Sequence, residues 1–379
     1  MIFRNIVSLV EFYNIILITF ITSNEVNQIH QLKDLGVKVF YVIFDRNNNI
    51  SKKILSVFKI FPAIIESLFF FRPFFMTKYN NKEIKILVKE ILDKNKIDIV
   101  QIEYNIMHHY ADYVGTITKV LMLHDVSTKL YFRSFNQNLN IFIKGLQYLD
   151  YLRWKLHEPK ILRKFNKIIT LTKEDKNFIK NWNIPEVKII PPQIQFEDAP
   201  EISTKELKVI FIASYNREPN IQALKILLQQ IFPKLISLFP EIKILIIGKY
   251  LSNNIQKEIK QIKQIEYVGF VENVNSLVSE ALLMIAPIFI GSGLKMKIPH
   301  VLSCGVPVIT TSVGAEGIDV DDNEGLWIED DIDKMSIKCV ELLQSPEELI
   351  RIGIIGQEKV KNIYSSHVIT EKLISVYQN

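Results

Sequence analysis

Cysteine is nearly absent from this chain: two residues in 379, Cys304 and Cys339. Two distant thiols supply neither a disulfide framework nor metal-ligand spacing, which points to a reducing compartment. The seven histidines show no HExxH or comparable pairing, so no structural metal is expected. A membrane span needs about 20 nearly uninterrupted apolar residues. The closest stretch, Ile54 to Phe75, is broken by Lys59, Pro62, Glu66, Arg72 and Pro73. Its clusters Phe69-Phe70-Phe71 and Phe74-Phe75-Met76 suit packing under a sheet or dipping into an interface. Glu11 breaks the N-terminal apolar run and no small-residue cleavage site follows, which argues against a signal peptide. Internal repeats and low-complexity tracts are also missing.

What is present describes a globular protein. Hydrophobic residues make up 48% and charged residues 23%, and the length suits two domains. Charge is shared unevenly: residues 1–200 hold 28 Lys/Arg against 19 Asp/Glu, and residues 201–379 hold 18 against 22. The stretch Lys144 to Lys188 is basic and carries Tyr148, Tyr151, Trp154, Phe165 and Trp182. It reads either as a solvated helix face or as a contact for an anionic membrane surface or lipid diphosphate. No recognised nucleic-acid module occurs, so nucleic acid is not an expected partner.

Apolar runs alternate with helical segments, as a doubly wound parallel α/β sheet requires. Strands are expected at Ile15–Ile21, Val37–Ile43, Asp98–Ile102, Val120–Leu123, Lys167–Leu171 and Lys188–Ile190. After a polar segment they resume at 208–213, 243–247, 266–268, 283–287, 306–310 and 325–328. Helices are expected at Lys82–Asn95 and Lys144–Lys164 among others. The expected division is 1–197 for a first domain, 198–206 for a linker, 207–365 for a second domain and 366–379 for a last helix.

The stretch Ile285 to Ile318 carries the most chemistry. It reads as strand, Gly-rich turn, basic helix start, strand and second Gly turn. Gly291-Ser292-Gly293 permits close backbone approach. A helix beginning near Leu294 would add its positive dipole end, with Lys295 and Lys297 in the first turn. Cations there oppose the dipole but favour an anion. A Walker loop and a full GxGxxG are both absent, so the residues alone fit an anion site or a structural turn.

Over Val209 to Gly317 the chain resembles the nucleotide-binding domain of family-4 retaining glycosyltransferases with the GT-B fold. The resemblance starts at Val209–Ala213 followed by Arg217-Glu218-Pro219-Asn220. It continues through Pro233, Pro240-Glu241, Lys243–Gly248, Gly269-Phe270-Val271 and the 285–318 stretch. The resemblance implies two Rossmann-like domains facing across a cleft, with the last helix (Val368–Tyr377) crossing back to the first. It implies transfer of a sugar from a UDP- or GDP-type nucleotide-sugar donor to a glycan or lipid-linked acceptor, with no cofactor. The expected location is cytoplasmic, either free or peripheral on the inner face of the plasma membrane.

The resemblance also assigns residues. His124, followed by Asp125, matches a histidine that contacts the transferred sugar; alternatively Asp125 caps a helix and His124 packs. Arg133 and Glu158 match a further Arg and Glu that could pair structurally. Lys295 and Lys297 are expected to offset the departing diphosphate, a stabilisation that itself calls for no metal. Arg217 and Asn220 follow the first strand of the second domain; Gly269 and Val271 match the base-contacting region. Pro287, Gly291, Ser292 and Gly293 shape the pocket, and Glu316 keeps the family pattern. One departure is His300, which stands where relatives carry a ribose-binding Glu. A second lies at the start: Met1 to Phe12 resembles the first helix, without the strand and Gly-rich loop before it, and glycine is absent before Gly36. An internal start within a longer frame and a truncated remnant are the two explanations. The expected function is therefore a retaining glycosyltransferase. The alternatives are a degenerate, non-catalytic GT-B partner and, less compatible with the motifs, a GT-B epimerase or a Rossmann oxidoreductase.

Overall fold

The computed structural model describes residues 1–43, 71–73, 76, 78–137, 141–194, 196, 206–291 and 293–378. The candidate span Ile54–Phe75 therefore lies almost entirely outside the described residues, and so do Ser292 and all but one residue of the expected linker. The chain forms two compact units. The first is Met1–Gln193 with Ile369–Asn379, and the second is Ile194–Val368. Ile194 goes with the second unit because its N–H donates to the Tyr364 carbonyl at 2.9 Å.

All strands pair in parallel. In the first unit β1 (Ile16–Ile21) pairs with β2 (Lys38–Ile43). A separate sheet runs in the order β3 (Ile99–Glu103), β4 (Thr118–Leu123), β5 (Lys167–Thr170), β6 (Glu186–Ile189). Leu121, Leu123 and Ile168 face one layer of core, and Val120, Met122 and Ile169 face another. Burial on both faces is why these strands read as continuous apolar runs rather than alternating ones. Among the described residues β1 and β3 share no ladder.

The helix Ser366–Gln378 closes the second of these layers. Ile369, Leu373 and Val376 pack with Val120, Met122 and Ile169. Its end is pinned by Tyr377 Oη donating to Gln101 Oε1 at 2.6 Å and Lys167 Nζ donating to the Val376 carbonyl at 2.6 Å.

The second unit holds one six-stranded sheet. Its strands are β7 (Lys208–Ile212), β8 (Lys243–Ile247), β9 (Ile265–Gly269), β10 (Leu283–Ala286), β11 (Val308–Thr310) and β12 (Leu326–Ile328). They lie in the order β12-β11-β10-β7-β8-β9. From β7 the chain moves outward through β8 and β9, then returns to the other side of β7 with β10. The strand order thus reverses between β7 and β10, where open parallel sheets leave a crevice beyond the strand carboxyl ends.

The helix Pro346–Tyr364 braces this sheet through two glycines. A Cβ on Gly353 would lie 2.0 Å from the Gly305 carbonyl oxygen, and one on Gly356 would lie 2.3 Å from that of Glu324. Alanine at position 353 would gain about 1 kcal/mol of helix propensity. Forcing two backbone segments apart costs more, about 2–3 kcal/mol. Gly353→Ala is therefore expected to lower the calorimetric unfolding midpoint; an unchanged or raised midpoint would show that the contact relaxes without cost.

Candidate functional site

The crevice between β7 and β10 gathers most of the residues singled out in the sequence. β10 is fully buried and is followed by Pro287, also buried. Beyond it Gly291 (φ 141°) and Gly293 (φ 69°) adopt backbone conformations that side-chain-bearing residues rarely take. A Cβ on Gly291 would stand 3.3 Å from Lys295 Cε. Glycine thus leaves room for Lys295 to fold back over its own loop. Its Nζ donates to the Gly293 carbonyl at 2.8 Å and pairs with Glu316 Oε2 at 3.5 Å. Both side chains are largely buried, at 10% and 6% exposure.

The following helix is Lys297–Ser303, three residues later than the sequence suggests. Pro299 explains the shift. It has no N–H to reach back to the Lys295 carbonyl, which instead accepts from Ile298 at 2.9 Å. Lys295 therefore sits in the approach loop, and only Lys297 belongs to the first turn. Lys297 Nζ donates to Asn220 Oδ1 at 2.8 Å and lies 5.1 Å from the Phe211 ring centroid. Asn220 is held in turn by its Nδ2, which donates to the Ser214 carbonyl at 2.8 Å. Burial, with Lys295 and the exposed Arg217 nearby, pushes the Lys297 ammonium down to about 7.

The remaining donor-side residues lie around this core. His300 Nε2 meets Asn275 Oδ1 at 2.9 Å; an acceptor oxygen there requires the proton on Nε2. Gly269 (φ 79°) accepts from the Gly248 N–H at 2.7 Å. Val271 is half-buried beside Phe270, which is 60% exposed and carries Lys249 Nζ 3.4 Å above its ring. Lys249 and Phe270 escape sequence reading because their partnership crosses the ends of β8 and β9, visible only once the two strands pair.

His124 belongs to the first unit, just past β4. Its Nε2 donates to Glu103 Oε2 at 2.6 Å, and the Tyr104 ring stacks on it at 3.8 Å between centroids. Tyr104 has φ 67°, an unusual conformation for a bulky residue. Glu103 and Tyr104 end β3, the neighbour of β4, so an acidic residue at a strand end was the available signal. Glu158 meets four donors of its own unit. It is fully buried and accepts from Ser127 N, Thr128 N, Thr128 Oγ1 and Asn105 Nδ2, at 2.6–2.8 Å. It thereby caps the helix Ser127–Gln137 and ties it to the segment after β3, fixing both loops around His124. Burial raises its carboxyl to about 7 against the pull of these donors.

Residues 206–345 match the family described as Glycosyl transferases group 1. The second unit contains a group 1 glycosyl transferase domain. A 44.6 kDa protein of the cps region of Klebsiella pneumoniae is 23% identical over 272 residues, 66% of this chain and 69% of that one. A GDP-mannose-dependent monoacylated alpha-(1-6)-phosphatidylinositol monomannoside mannosyltransferase of Corynebacterium glutamicum is 26% identical over 161 residues. That match spans 39% of this chain and 42% of the mannosyltransferase. Among solved structures, Anabaena HepE in complex with UDP and glucose superposes with a TM-score of 0.66 at 11% identity, covering 99% of this chain and 95% of that one. The fold is that of the GT-B glycosyltransferases.

In the group 1 domain the geometry joins Lys295, Lys297, Asn220, Glu316, Gly291 and Gly293, with Arg217 close enough to act on Lys297. It places His300, on the helix Lys297–Ser303, against Asn275 of the helix Asn275–Ser279. In the first unit, Glu158→Gln would turn an amide donor toward donors already pointing at it. Leaving buried donors unmatched costs about 1–3 kcal/mol. The variant is expected to lose stability of that order in urea titration; a loss below a few tenths would mean the cap does not hold the His124 loops.

Proposed function

We propose that the protein moves a sugar from a nucleoside-diphosphate donor to a hydroxyl of a glycan or lipid-linked acceptor, with retention at the anomeric carbon. The observation that carries this reading is the crevice beside β7 and β10, where two lysines crowd together, Lys295 beside the Glu316 carboxylate and Lys297 on the Asn220 amide oxygen. Lys295 and Lys297 would flank the donor's diphosphate, and the glycine turn would offer backbone N–H groups to it. As the sugar–oxygen bond breaks, negative charge grows on the departing diphosphate, and the two ammonium groups stabilise it. The acceptor hydroxyl attacks from the same face, and its proton passes to the leaving phosphate oxygen.

The other roles follow. Gly269 and Val271 flank the base, His300 meets the ribose, and Arg217 supplies an outer cation. His124 contacts the transferred sugar, with Glu103 fixing its proton on Nε2 and leaving Nδ1 as an acceptor in the neutral ring. The donor is of UDP or GDP type: HepE is solved with UDP, and the Corynebacterium enzyme is GDP-mannose-dependent. A second reading, a GT-B protein that binds nucleotide sugar without transfer, is favoured by His300. Its Nε2 already serves Asn275, and an imidazole lacks the paired oxygens of a carboxylate. Incubation with UDP- and GDP-sugars separates the two readings. Release of free nucleoside diphosphate dependent on an acceptor supports transfer, and binding without release supports the second.

Lys297 gives the donor site a pH signature. In the folded chain its ammonium titrates near 7, well below its ordinary value of 10.5. A diphosphate prefers the protonated form, so affinity should fall as pH rises through about 7. The drop from pH 6.5 to 8.5 is expected to be up to about 25-fold, the ratio of protonated fractions for a group titrating at about 7. The empty fold has the opposite sign: it sheds this proton earlier than the unfolded chain, so its stability rises as pH climbs from about 7 toward 10.5. Lys297→Arg keeps its charge throughout and should flatten the affinity curve. Identical pH curves for the two proteins would remove Lys297 from the diphosphate site.

A further inference from the structure

Strand β3 carries two polar residues where the strand beside it carries apolar ones. Side chains alternate between the faces of a strand, so Ile99, Gln101 and Glu103 share one face. In the parallel register Gln101 lies beside Val120 and Glu103 beside Met122. His124 stands one step further along that same face. This is the layer covered by the helix Ser366–Gln378, where Ile99 packs against the cluster of Val120, Met122, Ile369 and Leu373. An apolar side chain at position 101 would suit such a layer, and a half-buried amide there needs partners.

Gln101 has a partner at each end. Its Nε2 donates to Glu103 Oε1 at 2.7 Å, and its Oε1 accepts from Tyr377 Oη at 2.6 Å. Glu103 Oε2 in turn accepts from His124 Nε2 at 2.6 Å. One chain of hydrogen bonds, Tyr377–Gln101–Glu103–His124, thus runs from the last helix to the end of β4. The carboxylate sets its direction. An ionised carboxylate only accepts, so Gln101 turns its NH2 toward Glu103 and its oxygen toward Tyr377, and the tyrosine must donate. Burial, and then the charge of Glu103, raises the Tyr377 hydroxyl above its ordinary range and keeps its proton in place. The Tyr13 ring stands edge-on to Tyr377 with centroids 5.5 Å apart, and Lys167 Nζ holds the Val376 carbonyl next to it. At the other end the Tyr104 ring lies within 17° of parallel to His124 and fixes the imidazole plane.

We propose that Gln101 and Tyr377 are positioning residues for His124. Together they hold the Glu103 carboxylate in place and set the direction of the chain that keeps the imidazole proton on Nε2. Nδ1 is then the ring atom left to accept from a hydroxyl of the substrate. The last turn of the helix Ser366–Gln378 is linked to His124 through two side chains. The value of this to the reaction rests on the reading of His124 as a sugar contact; the hydrogen-bond chain itself does not.

Nitrogen NMR of the full-length protein with isotope-labelled histidine reads the tautomer of the neutral His124 ring, and His124→Gln assigns its signal. The wild type is expected to carry the proton on Nε2; a proton on Nδ1 overturns the proposal without any variant. In Glu103→Gln the new amide oxygen takes the N–H of Gln101, whose direction Tyr377 still fixes. The new NH2 then faces His124 Nε2, so the ring proton should move to Nδ1. Adding Tyr377→Phe lets Gln101 turn over, because either direction now leaves one of its groups unmatched, and about half of the Nε2–H form should return. Tyr377→Phe alone should keep the Nε2–H form, since the carboxylate still only accepts. Each substitution changes a single heavy atom, and unchanged signals from the other histidines confirm the fold. A role in packing alone would not couple residue 377 to the tautomer of residue 124. Glu103→Gln that keeps Nε2–H, or a double variant with the same tautomer as Glu103→Gln, would overturn the proposal. In acceptor-dependent transfer, Glu103→Gln should lower kcat/KM about tenfold or more, as loss of one substrate hydrogen bond implies, with part restored in the double variant. A tautomer that moves as expected while transfer stays unchanged would remove His124 from the sugar site and leave the control of its ring standing.

Discussion

Positive charge is crowded where β7 and β10 end. Lys297 is buried beside Lys295 and within reach of Arg217, and its ammonium is held down to about 7 as a result. The offsets include the Asn220 amide oxygen and the face of Phe211 for Lys297, and Glu316 and the Gly293 carbonyl for Lys295. Much of the local structure serves this crowding. Pro299 sets where the helix starts, Gly291 makes room for the Lys295 stem, and Ser214 fixes the amide that Lys297 needs. An empty fold gains nothing from such an arrangement. A perturbed lysine in a crevice at a topological switch point fits the proposed diphosphate, which would complete the charge balance.

The two units distribute their buried charge differently. In the first, the buried Glu158 is surrounded by four donors, and the buried Lys129 meets Asp175 at 2.7 Å. Those groups are matched within the fold, and they hold loops in place. Glu158 in particular clamps the segment after β3 to the helix after β4, which is why Glu103, Tyr104 and His124 converge. In the crevice of the second unit like charges sit together, and Lys295 and Arg217 help to push the Lys297 ammonium down. A matched charge network reads as scaffold, and an unbalanced one reads as a binding site.

Most of the fold was legible because its strands are short, buried apolar runs separated by helices. β7 through β12 fall within two residues of where those runs predict them. The donor-side residues were legible through motif spacing along one stretch of chain. What escaped depended on contacts between strands or on one residue's geometry. The helix start moved from near Leu294 to Lys297 because Pro299 removes a hydrogen bond, which a pattern of apolar residues does not register. Glu103 and Lys249 were invisible because their partners, His124 and Phe270, lie on adjacent strands. Arg133 and Glu158 could be aligned with a family pair, but only burial revealed that Glu158 caps a helix instead.

The central claim is that the crevice by β7 and β10 recognises a diphosphate through Lys295 and Lys297. Calorimetric titration of the intact protein with UDP and uridine, and with GDP and guanosine, tests it most directly. The account predicts that one diphosphate binds measurably and its nucleoside at least about a hundredfold more weakly, as loss of two charge-assisted contacts implies. It also predicts that Lys295→Ala with Lys297→Ala brings the diphosphate down to the nucleoside's level. A nucleoside that binds as tightly as its diphosphate, or a double variant that binds diphosphate unchanged, would contradict it.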